Sequence, residues 1–145
     1  MSTHTTYSSF INGLNVYNGK SILAFIDYCE EFIEEERQVY YANAMLNYRL
    51  EKYRDVLQYQ EKIAIDRLIS RQSKIINEFS HFISKKKNFD VNYTTDSDLE
   101  VCTGFTSNLQ TIERELNEYW NKLMVYIDLS KLSDDYDENI IKGGN

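Results

Sequence analysis

Glu78 and His81, in the stretch Glu78-Phe79-Ser80-His81, stand at a spacing that puts a carboxylate and an imidazole on one face of a helix. Carboxylate-bridged di-iron bundles use this spacing, but they need two such motifs and two further glutamates. The other histidine is His4, near the N-terminus, so a second motif cannot be built. No metal is expected, and the pair reads as surface residues near a helix end. Glu30 and Glu34 lie one helical turn apart, as an acid/base pair would. They belong to a run with Glu31, Glu35 and Glu36, and such a run reads as a solvated face. Cys29 and Cys102 are too few for a disulfide framework or a structural zinc site. Neither has a histidine beside it in sequence, and both read as reduced, small apolar residues. No glycine-rich phosphate loop is present. The expectation is a non-enzymatic chain with no cofactor.

Two further sets of residues suit recognition rather than catalysis. Arg67, Arg71, Lys74, Lys85, Lys86 and Lys87 make one region locally basic, diluted by Asp66 and Glu78. They suit contact with an acidic partner or with lipid headgroups. Tyr40, Tyr41, Tyr48, Tyr53 and Tyr59 form a tyrosine-rich stretch, and tyrosine packs well at interfaces because its ring buries while its hydroxyl tolerates water.

Few, long elements must position these residues. The chain has 145 residues, no proline and 5 glycines, so sharp turns are scarce. Hydrophobic residues at 42% and charged residues at 27% suit a folded domain. The net charge of −7 opposes nucleic-acid binding, which is driven by Lys and Arg neutralising phosphates. The same charge disfavours a membrane surface. No run reaches the ~18 apolar residues of a membrane span. Met1 to Ser9 lacks a basic-then-apolar signal pattern, so a cytoplasmic protein is expected.

Residues 1–20 read as an irregular arm, with turn signals at Asn12-Gly13 and Asn18-Gly19. Ser21 reads as an N-cap. From Ser21 to Lys87 there is no glycine or proline, and apolar residues recur at three- and four-residue steps. A heptad seam runs through Phe32, Glu36, Val39, Asn43, Leu46, Leu50, Tyr53, Leu57, Gln60 and Ala64. Asn43 in such a seam suits fixing register, whereas Glu36 and Gln60 read as wet edge positions. A bend is expected near Ser70–Ser73. Residues 88–104 read as a loop, with Ser97 or Asp98 as a cap. A final helix over Phe105–Ser130 carries the seam Phe105, Leu109, Ile112, Leu116, Tyr119, Leu123 and Tyr126. Residues 131–145 read as a disordered acidic tail.

The expected fold class is all-α: a long helical hairpin or an elongated three- to four-helix bundle with coiled-coil character, a flexible N-terminal arm and an acidic C-terminal tail. Residues 21–130 form its single helical domain. An unbroken helix over 21–87 would be on the order of 100 Å long. The second helix covers less than half of that, and an exposed apolar stripe marks an interface. The functional expectation is therefore a protein–protein interaction module, an assembly subunit or adaptor that self-associates. Its partner-binding seams would be Leu46, Leu50, Tyr53 and Leu57 with Leu109, Ile112, Leu116, Tyr119 and Leu123. The alternatives are a BAR-like membrane-binding module and a compact bundle that binds a partner helix in a regulatory role.

Overall fold

The computed structural model describes residues 3–88 and 93–143, with side chains over 7–87 and 93–129. Four helices account for nearly all of it. Helix α1 spans Thr3–Leu14, α2 Ile22–Arg49, α3 Tyr59–Asn88 and α4 Asp96–Gly143. Short 3-10 turns, Asn15–Tyr17 and Glu51–Val56, join the first three.

Cross-helix partners give the directions. From α2 to α3, Arg37 reaches Ser80, Asn43 reaches Gln72 and Asn47 reaches Asp66, so one number rises as the other falls. The pairs Lys86–Asp98, Gln72–Glu113 and Glu61–Lys122 run the same way between α3 and α4. Both neighbouring pairs are antiparallel. Helix α1 lies against α2 and α4, with Tyr7 bonded to Glu36 and Phe10 stacked on Phe32. The result is a four-helix bundle.

The expected irregular arm is instead part of this bundle. Tyr7, Phe10 and Leu14 recur at helical spacing and are buried. The Phe10 ring stacks on Phe32 at 3.9 Å and on Tyr28 at 4.9 Å between centroids. Asn12-Gly13 is not a turn but lies inside α1. Glycine is needed at 13 because Tyr28 presses on it: an added Cβ would sit 2.0 Å from the Tyr28 hydroxyl oxygen. The second signal is a turn, with Asn18 at φ −59, ψ 124 and Gly19 at φ 70, closed by Lys20 N–H donating to Tyr17 C=O at 2.9 Å.

The long breaker-free segment breaks, but at 50–58 rather than near Ser70–Ser73, across which α3 is continuous. No glycine or proline is needed there. Leu50 and Leu57 both turn inward and are buried, which closes the reversal over the core. The Arg54 guanidinium bonds both carboxylate oxygens of Asp66 at 3.2 Å and the Lys62 carbonyl at 3.0 Å. Glu61 takes the Gln58 backbone N–H at 3.0 Å, half of a capping box that starts α3.

Helix α4 begins at Asp96, nine residues before the expected Phe105, and runs through Gly104. Its cap is Thr95. The Thr95 hydroxyl accepts from Asp98 N–H at 3.2 Å, and the Asp98 carboxylate accepts from Thr95 N–H at 3.0 Å, a full capping box. The backbone stays helical to Gly143, where the sequence suggests a disordered tail from 131. Near α4's start, Gly19 and Thr94 backbones pair, as do Thr94 and Lys20, and Asn18 reaches Asp96 at 2.6 Å. These bonds tie the α1–α2 connection to the α3–α4 connection at one end of the bundle. No described helix is long and apolar enough to cross a membrane.

Candidate functional site

A polar centre lies inside the bundle, built from all four helices. The Tyr7 hydroxyl of α1 donates to Glu36 of α2 at 3.0 Å. Asn43, two turns along α2, gives its amide N–H to Glu113 of α4 at 2.8 Å and to the Gln72 carbonyl of α3 at 3.1 Å. Gln72 also donates to Glu113 at 3.3 Å, and the Trp120 indole N–H donates to Asn43 Oδ1 at 3.0 Å. Glu36, Asn43, Gln72 and Glu113 are all buried. Buried polar groups of this kind are tolerable because each finds a partner. Their joint demands then fix how the helices slide and turn against one another.

Electrostatics at this centre follow from the burial. Removal from water pushes the Glu36 carboxyl up to about 7, and the Glu113 and Glu35 charges add to the rise, while the Tyr7 hydrogen bond opposes it. Burial, then the Glu36 charge, raise the Tyr7 hydroxyl well above its ordinary range. Contrary to the expectation of a wet edge, Glu36 is only 2% exposed; Gln60 is exposed as expected. Nearer the opposite end, Cys29 of α2 and Cys102 of α4 are both free thiols and fully buried. The Cys102 thiol and the burial push the Cys29 thiol upward, which suppresses the reactive thiolate.

The seam residues pack inside the chain. Leu50, Leu57, Leu109, Ile112, Leu116 and Leu123 are buried, and Leu46, Tyr53 and Tyr119 are partly buried against them. Folding back at 50–58 covers the stripe that a straight helix would leave open. The surplus seam that suggested a second chain is thus covered by the chain itself.

The basic residues divide into two groups. Lys86 pairs with Asp98 at 2.6 Å and Lys87 pairs with Glu30. Asp98's carboxyl, which burial alone would raise, is held below the usual range by Lys86 and by the Thr95 cap. Both lysines are structural ties between helices. Arg67, Arg71, Lys74 and Lys85 are exposed on the outer face of α3 and make no ion pair among the described residues. A shallow depression of about 450 Å³ lies there, lined by Ile63, Asp66, Arg67, Ser70, Arg71 and Lys74.

Glu78 and His81 are exposed and border a second shallow depression with Ser70, Ser73, Lys74 and Asn77. Among the described residues, no group of three or more His, Cys, Asp or Glu side chains is placed to hold a metal ion. Comparison with protein-family models, with curated proteins and with solved structures finds no match for this chain.

The outer face of α2 carries the tyrosines. Tyr41, Met45 and Tyr48 follow at i, i+4 and i+7 on one stripe, 57%, 51% and 75% exposed. Tyr40 and Tyr53 turn partly inward. The members of the polar centre other than Asn43 and Glu36 escape a reading of heptads alone. Their trace is nevertheless in the sequence: Gln72 interrupts Ile65, Ile69, Ile76 and Ile83, and Glu113 interrupts Leu109, Leu116 and Trp120.

Proposed function

We propose that the chain is a non-enzymatic helical protein–protein interaction module, acting as an adaptor or assembly subunit through its outer helix faces. The observation that carries this reading is the Tyr41, Met45, Tyr48 stripe. Each of these side chains is more than half exposed, and they stand in the spacing with which one helix meets another. Tyrosine and methionine are enriched at interfaces and depleted from ordinary solvated faces. Behind the stripe, a polar centre satisfied by all four helices keeps the bundle in one register, which suits a rigid docking platform rather than a surface that reshapes on contact.

The test is affinity capture from the native host followed by mass spectrometry, comparing the wild-type chain with the triple variant Tyr41→Ala, Met45→Ala, Tyr48→Ala. A reproducible partner retained by the wild type and lost by the folded variant supports the reading. Capture of nothing above background, or equal capture by both chains, refutes it.

A further inference from the structure

The polar centre buries two carboxylates without a cation. Glu36 is 2% exposed and Glu113 5%, and among the described residues neither belongs to an ion pair. A buried charge without an opposite one is costly, so such a carboxyl keeps its proton or reaches water. Glu113 accepts two amide N–H groups, from Asn43 at 2.8 Å and from Gln72 at 3.3 Å. Among the described residues Glu36 has one donor, the Tyr7 hydroxyl at 3.0 Å, so Glu36 is the carboxyl that keeps the proton. Its rise to about 7 agrees. The groups that face it are Tyr7 of α1, Glu113 of α4 and Glu35 on its own helix, none of them a cation. At the same level of α3, the titratable Glu78 and His81 are exposed on the outside.

Helix α1 covers this carboxyl and is the element least tied to the rest. Asn43, Gln72, Glu113 and Trp120 bind α2, α3 and α4 to one another, whereas α1 joins the centre through Tyr7. Helix α1 is also short, 12 residues against 28, 30 and 48, and short terminal elements open most readily. Its connection to α2 is anchored on the α2 side. Gly19 N–H donates to the Thr94 carbonyl at 2.9 Å and Thr94 N–H to the Lys20 carbonyl at 3.0 Å, which pins the start of α2 beside the start of α4. The Asn15–Tyr17 turn lies just ahead of that anchor. The Phe10–Phe32 stack and the bond from the Tyr28 hydroxyl to the Phe10 carbonyl hold α1 down whatever the charge on Glu36.

We propose that α1 is a proton-latched flap: it is closed over Glu36 while that carboxyl holds its proton, and it swings out about the Asn15–Tyr17 turn when the proton is lost. The ionised carboxylate then takes its hydrogen bonds from water, which the closed core denies it. The closed form binds the proton more tightly than the released one. Release therefore grows as pH rises from about 4.5, the ordinary value of the carboxyl, to about 7, and levels off above. Ionisation also strengthens the Tyr7 hydrogen bond, which opposes release, but removal from water is the larger effect. The released form stays a minority because the Phe10 and Tyr28 contacts still favour closure. Release uncovers the Phe32 ring as well as Glu36. The flap is independent of the Tyr41 stripe on the outer face of α2.

The test is hydrogen–deuterium exchange of the full wild-type chain at a series of pH values from 5 to 8, each rate divided by the intrinsic rate at that pH to give an opening constant. Backbone amides of Phe10 to Leu14 report on α1, and those of Ile75 to Phe79 report on the middle of α3. The α1 amides should open more often than the α3 amides at every pH, and their opening constant should rise by about tenfold or more across the series. In Glu36→Gln the rise should vanish while α1 still opens first. One opening constant shared by α1 and α3 overturns the flap, because α1 then leaves only when the whole bundle unfolds. An α1 that opens first but at a constant indifferent to pH overturns it too, as does a rise that persists in Glu36→Gln. The first two of these results come from the wild type alone, so the flap can fail without any variant having to fold.

Discussion

The Trp120 indole N–H meets Asn43 Oδ1 at 3.0 Å, joining residues 77 positions apart in the interior of the bundle. The bond anchors the buried network that includes Gln72 and Glu113. It predicts that Trp120→Phe, which keeps an aromatic ring but removes the donor, costs about 1–3 kcal/mol, because Asn43 Oδ1 is left buried without a partner. Urea denaturation at unchanged slope measures this. A loss below about 0.5 kcal/mol would show that water or another donor takes the place of the indole.

Two glycines should respond to alanine with opposite signs. At Gly13 a Cβ would meet the Tyr28 hydroxyl at 2.0 Å. Tyr28 cannot yield freely, because it donates to the Phe10 carbonyl at 2.8 Å and stacks on the Phe10 ring. Gly13→Ala should therefore destabilise by about 1–3 kcal/mol through overpacking. At Gly104, inside α4, a Cβ meets open space, and alanine should stabilise by about 0.5–1 kcal/mol by restricting the unfolded chain. Thermal midpoints of the two variants should fall on opposite sides of the wild type; a shift in the same direction for both would contradict the packing described around Tyr28.

How far the fold was legible in the sequence depended on whether its cause was local. The all-helical class followed from the missing prolines and from the three- and four-residue steps, both of which are short-range properties. Asn43 stood out as a polar residue in an apolar seam, and the structure gives it three partners. The break at 50–58 was not legible, because what turns the chain there is tertiary: Leu50 and Leu57 enter a core built by other helices, and Arg54 closes on Asp66. Helix α1 was hidden for the same reason. Its Asn-Gly and Ser/Thr content argues for turns, and only packing of Tyr7, Phe10 and Leu14 overrides that preference. Of the basic set, sequence could not separate Lys86 and Lys87, tied to Asp98 and Glu30, from Arg67, Arg71 and Lys74, because those carboxylates come from other helices.

The burial of Cys29 and Cys102 predicts thiols that are inert while the bundle is closed. Both are fully buried, and the Cys102 thiol and the burial disfavour the Cys29 thiolate. Reaction with an aromatic disulfide reagent should be at least about a thousandfold slower in native buffer than in urea, since it must await opening of the core. Labelling rates that follow the unfolding equilibrium across a urea series would support this. Rapid labelling of the native chain would place the two thiols elsewhere than in the core.

Glu36 makes stability depend on pH in a definite direction. Its carboxyl titrates near 4.5 in the unfolded chain and is pushed up to about 7 by burial in the folded one. Below the unfolded value both states hold the proton and nothing is lost. Between about 4.5 and about 7 the unfolded chain releases its proton first, so the folded state binds more protons and stability falls as pH rises. Above the folded value the loss is complete, at about 3 kcal/mol from about 1.4 kcal/mol per pH unit. Glu36→Gln removes this dependence, and its amide oxygen still accepts from Tyr7. The variant should gain on the wild type steadily across that pH window and stay ahead above it, as read from urea midpoints at a series of pH values. A difference between the two proteins that does not change with pH would mean that Glu36 is not the group being titrated, and that its burial beside Tyr7 and Glu113 is offset by a solvation the described contacts do not include.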